Sequence, residues 1–223
     1  MVLCEYNSQA YDVLGNIDVV SKQVDREQLT EIGKIILAHG YEQDVCVIVA
    51  HRHFNLDPKE AMLERMEGDT RLAEPEMLET IGSLEGACPN VIVCNGGKWF
   101  PVGYGPCLKL GSEEDNLLKA CNDDAFLEEV GQFLVANGLE NTFMLGARCS
   151  KEAKEQGVHF MEYNFEDTRT SETRPCAEDE FVKGVETTYS FARDSDGLVE
   201  ETCVRVCQPV GDGHLFVHVP FFN

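Results

Sequence analysis

His51 and His53 stand at alternate positions, directly after the apolar run Val45–Ala50. On an extended chain residues two apart leave the same face, so the two imidazoles converge. Two imidazoles at that spacing can hold one zinc, iron or copper ion, because neutral imidazole is the commonest metal ligand. A third ligand is needed, and Glu64, on the segment returning from the strand, is the local candidate. The expected cofactor is therefore a divalent transition metal, zinc or iron, at His51, His53 and Glu64. The same histidines can instead do metal-free acid–base chemistry, or cap a buried strand by hydrogen bonds to loop carbonyls and Asp57. No HExxH occurs.

Other residues join this site as candidates. His214 and His218 flank Phe216 on a final strand. Four residues of extended chain separate them by roughly 13 Å, too far to share an ion. Either can complete a site begun by His51 and His53, so both are assigned to ligand binding. Arg148 can hold a substrate carboxylate by bidentate hydrogen bonds, or pair with one of the forty acidic residues. Trp99 can line an apolar pocket or belong to the core.

The elements that must position these residues come from a stretch that recurs. At an offset of 98 residues, the separation of Gly33 from Gly131, Leu29, Glu31, Ala38, Gly40 and Glu42 fall on Leu127, Glu129, Ala136, Gly138 and Glu140. Asp25 falls on Asp123 and Glu64 on Glu162. The same offset carries His51 onto Cys149. A cysteine beside a histidine yields a reactive thiolate, so Cys149 is a catalytic candidate with His51 and His53.

Each copy predicts a helix and then a strand. Asp25 is a good N-cap with Gln28 at the capping-box position, and Leu29, Ile32, Ile35 and Ile36 form one apolar stripe. Gly40 suits a left-handed C-cap. Gly33 costs the helix about 1 kcal/mol relative to Ala, which predicts close packing there. Asp44–Phe54 reads as a strand, and both faces of its run Val45–Ala50 are apolar, as in an interior strand covered on both sides. Ala61–Glu67 reads as its returning partner, Ile17–Val20 as a short strand and Pro75–Ile81 as a short helix. Asn95-Gly96-Gly97 marks a hairpin between Asn90–Cys94 and Lys98–Val102. In the second copy Thr142–Cys149 and Val158–Asn164 read as strands. Glu166–Gly184 reads as a long surface loop, and Glu186–Ala192, Val199–Cys207 and His214–Val219 as a closing meander.

The expected fold is α+β, one domain over residues 1–223. Internal duplication, with pseudo-repeats at about 19–67 and 117–165, gives two similar halves, each a helix on an antiparallel sheet. The sheets can merge or curl into a partial barrel.

A net charge of −22, with no basic run among 18 Lys and Arg, argues against nucleic acid and against an anionic membrane surface. The N-terminus has neither a basic n-region nor a long apolar stretch, so a cytoplasmic protein is expected. Its ten cysteines, with no CxxC pair, are then expected to be mostly reduced.

Three functions fit these residues. The first is a small-molecule enzyme with a histidine-centred site in the cleft between the halves, His51 and His53 serving as metal ligands or as acid–base groups. The second is a non-catalytic small-ligand-binding module, and the third an acidic domain that recognises a basic partner. Ionisable residues gather at the ends of interior strands, which favours the first.

Overall fold

The computed structural model describes residues 3–84, 86–106, 117–148 and 159–208. Ten strands form one closed barrel: β1 (Val45–Val49), β2 (Glu60–Glu67), β3 (Thr70–Met77), β4 (Ala87–Asn95), β5 (Lys98–Pro106), β6 (Phe143–Ala147), β7 (His159–Phe165), β8 (Thr170–Cys176), β9 (Val185–Arg193) and β10 (Val199–Cys207). Their order around the barrel is β1-β6-β4-β5-β2-β3-β8-β7-β10-β9, and β9 closes on β1. The sheet is mixed, because β2 pairs with β5 and β7 with β10 in parallel.

The expectation of two α+β halves, each with its own antiparallel sheet, is thereby corrected. Strand β1 lies between β6 and β9, and β6 lies between β1 and β4. Each of these strands is inserted beside strands from the other part of the chain. Neither half owns a sheet or a separable core, and closure leaves no free edge.

Two long helices pack against the β1–β6 region. The first, α3 (Arg26–His39), follows two short helices, α1 (Ser8–Asp12) and α2 (Ile17–Val20). Asp25 caps α3 by accepting from the Glu27 amide at 2.9 Å, and Gly40 ends it at φ 73°. The stripe Leu29, Ile32 and Ile36 meets Val45, Val47 and Val49 in the main buried cluster. Gly33 has the expected close neighbour: a Cβ there would lie 2.3 Å from Cδ1 of Phe191. Three more helices follow: α4 (Leu78–Ser83), α5 (Leu117–Cys121) and α6 (Asp124–Asn137), the last capped by Asp123 and ended by Gly138 at φ 66°. The alternate residues Cys46, Ile48 and Ala50 belong to a second buried cluster with Ala10, Tyr11, Leu14, Val93, Val102 and Met144. Strand β1 is covered on both faces.

Several local expectations are corrected. Ala61–Glu67 lies within β2, which pairs with β3 and β5 rather than with β1. Ile17–Val20 is helical because Asn16 caps the Asp18 amide at 2.8 Å. Pro75 sits inside β3 opposite Met62, and the helix begins only at Leu78. The presumed surface loop 166–184 contains β8 and a helical turn, α7 (Glu178–Phe181). Its buried residues are Thr170, Ser171 and Thr173, so the buried positions of β8 carry hydroxyls in place of an apolar alternation. The strand expected at His214–Val219 lies outside the described residues.

Among the described residues no helix is long and apolar enough to cross a membrane.

Candidate metal centre

Strand β1 ends at Val49, and the chain continues through a parallel bridge between Gly15 and His51. The His51 and His53 rings then stand edge to face, their centroids 4.6 Å apart. Strand β10 ends with Cys207 in parallel register with Glu162 on β7. These strands bring four donors together. One ligand atom each from His51, His53, Glu162 and Cys207 lies within 4.8 Å of every other.

Three of the four donors are held from outside the cluster, and His53 by Glu162 within it. Nδ1 of His51 is 2.6 Å from the Val49 carbonyl. A carbonyl only accepts, so Nδ1 carries the proton and Nε2 keeps its lone pair. That Nε2 is buried and has no hydrogen-bond partner among the described residues. Nε2 of His53 is 2.9 Å from Oε1 of Glu162. Ser171 donates to the same oxygen at 2.6 Å, and the Asn164 side-chain amide donates to Sγ of Cys207 at 3.4 Å. Outer partners of this kind orient metal ligands.

Protonation follows from burial and charge. Burial, helped by His53, pushes His51 down to about 4, so its imidazole is neutral near pH 7. For Glu162 burial alone would raise the carboxyl. The charge and hydrogen bond of His53, with His51 and Arg205, outweigh it and hold Glu162 well below the usual carboxylate range. Burial and then Glu162 push the Cys207 thiol well up. A coordinated metal ion reverses that preference, because a ligating thiol is deprotonated outright.

The donor set fits a transition metal. Zinc bonds of about 2.1–2.3 Å put tetrahedral donors roughly 3.4–3.8 Å apart, a modest contraction from the present spread. Two imidazoles and a thiolate favour zinc or iron over magnesium or calcium. A neutral His51 whose buried Nε2 lacks a partner among the described residues is the residue that an ion would satisfy.

The candidates read from the chain separate into two groups. His51 and His53 are brought together. Glu64 is not with them: its Oε1 is 3.1 Å from Nε of Arg71, across the β2–β3 hairpin. The carboxylate in the cluster is Glu162, the residue on which Glu64 falls at the 98-residue offset, and that correspondence was the signal that could have found it. Cys207 had no such signal, since its place depends on the parallel pairing of β7 with β10. Trp99 is fully buried and donates from Nε1 to the Leu127 carbonyl at 2.9 Å, a core role rather than a pocket lining. Arg148 hydrogen-bonds the Glu42 carbonyl, and its amide donates to Asp44 at 3.0 Å. That is the end of β1 opposite His51. Cys149, His214 and His218 lie outside the described residues. Of the eight described cysteines, seven are thiols and Cys88 is disulfide-bonded.

No protein-family model, curated protein or solved structure matches the chain.

Proposed function

We propose that this protein binds a divalent transition metal, zinc first, through His51, His53, Glu162 and Cys207. The observation that carries the reading is the buried Nε2 of His51, without a hydrogen-bond partner among the described residues, beside three further donors within 4.8 Å. Leaving a buried polar atom unsatisfied costs roughly 1–3 kcal/mol, which ligation would offset. Four protein donors form the closed set typical of structural zinc. In this reading the ion ties the segment after β1 to β7 and β10. The compartment proposed is the cytoplasm, supported by the thiols at seven of the eight described cysteines, with the disulfide at Cys88 counting against it. The net charge of −22 supports a small cation or molecule as partner rather than nucleic acid.

A second reading is a small-molecule enzyme built on the same ion. It is favoured by one observation: the side chains of His53 and Glu162 retain 15% and 13% exposure, so one edge of the centre reaches solvent. Catalysis there requires one donor to yield its place to water or substrate.

Elemental analysis of untagged protein beside a His51→Ala, His53→Ala double variant tests the metal. Near-stoichiometric zinc or iron, absent from the variant, is expected; no metal in either after metal-supplemented expression overturns both readings. Cobalt-substituted protein separates the two. A visible spectrum altered by added azide indicates an open position and the enzyme, and an unaltered spectrum indicates the closed structural site.

A further inference from the structure

The metal donors lie beneath a strap formed by residues 7–24, which carries α1 and α2. Gly15 bridges His51, and its carbonyl accepts from the Arg52 amide at 3.1 Å. Arg52 is the residue between the two histidines, so the strap holds the backbone that aims both imidazoles. The strap also reaches the opposite donor. Ile17 and Val20 of α2 share the main buried cluster with Cys207. Ala10, Tyr11 and Leu14 share the second cluster with Ile48 of β1 and with Ala50 just past it.

We infer that metal loading at His51, His53, Glu162 and Cys207 tightens the docking of this strap on the barrel, so that the strap senses metal occupancy. The inference rests on the metal reading above. Without an ion, the His51-Arg52-His53 segment is held by Gly15, by the Val49 carbonyl, by the ion pair of Arg52 with Asp12 at 3.9 Å and by the contact of His53 with Glu162. With an ion, both imidazoles are fixed to β7 and β10 as well, and the Arg52 amide presents a fixed donor to Gly15. Linkage makes the effect reciprocal: the factor by which the ion favours the docked strap is the factor by which a docked strap favours the ion. Gly15 gives a handle that touches no ligating atom. A Cβ there would lie 2.5 Å from Cγ2 of Val20, so a larger residue forces a shift between the bridge at Gly15 and α2 within the strap.

The test is hydrogen exchange by mass spectrometry on the full chain in zinc and in EDTA, with zinc content measured on the same samples. Zinc is expected to slow exchange in peptides covering residues 8–24 by about tenfold or more, with the β4–β5 hairpin unchanged. Cys207→Ser removes the slowing. Gly15→Val is expected to weaken zinc affinity by a similar factor. Bound zinc with unaltered strap exchange overturns the inference and leaves the metal reading standing. So does a folded Gly15→Val protein that binds zinc as tightly as the parent. Protein that takes up no zinc overturns the inference and the metal reading together.

Discussion

Nε2 of His53, just past the end of β1, lies 2.9 Å from Oε1 of Glu162 on β7, and Ser171 on β8 donates to that same oxygen. A carboxylate so held is oriented as well as ionised. Glu162→Gln keeps the shape and removes the charge. It is expected to weaken zinc binding by more than about 100-fold, beyond the loss typical of an outer partner. Competition with a chromophoric chelator measures it; an affinity within tenfold of the parent would remove Glu162 from the ligand set.

Cys207 supplies the one soft donor. Cobalt-substituted protein is expected to show a thiolate-to-cobalt charge-transfer band that is lost in Cys207→Ser, because a hydroxyl is a poor ligand for such ions. A band that persists in the serine variant would place the thiolate elsewhere.

Gly33 costs α3 helix propensity, yet the space beside it belongs to Phe191. Gly33→Ala improves propensity by about 1 kcal/mol but overpacks the α3–β9 contact, which typically costs about 1–3 kcal/mol. Net destabilisation is expected in urea denaturation, with partial recovery when Phe191→Leu is added. An unconditional gain in stability for Gly33→Ala would contradict the packing.

Asp123 accepts from the Ala125 and Phe126 amides at 3.0 Å and from the Tyr41 hydroxyl at 2.9 Å. The Phe126 amide first, then Tyr41, lowers its carboxyl below the ordinary carboxylate value. Because the folded-state value is depressed, the stabilisation is complete above about pH 4, the unfolded carboxylate value. It fades as pH falls through the lower folded value. Asp123→Ala is expected to cost about 1 kcal/mol at pH 7, with the gap from the parent narrowing below about pH 4. A gap unchanged down to pH 3 would show that charge plays no part in the cap.

Interactions that close within a few residues were legible in the chain. Asp25 and Gly40 bound one helix, Asp123 and Gly138 the other. The apolar alternation of Val45–Ala50 marks a strand covered twice. Gly96 and Gly97, at φ 58° and 70°, turn β4 into β5 as the Asn-Gly-Gly signal requires. Strand β8 is not legible in the chain because its buried residues, Thr170, Ser171 and Thr173, carry hydroxyls and no hydrophobic period.

Within the candidate site, the chain alone placed His51 and His53 on one side of one segment, since their alternation is a property of extended backbone. It left the partner strands undetermined. Ala61–Glu67 was read as returning beside β1 because a short connection favours that pairing, whereas barrel closure sets β1 between β6 and β9. Only that closure, with β7 and β10 in parallel, brings Cys207 beside Glu162 and both beneath the histidines. Strand partners separated by more than a hundred residues are chosen by the summed burial and hydrogen bonding of the whole sheet, which no local pattern records.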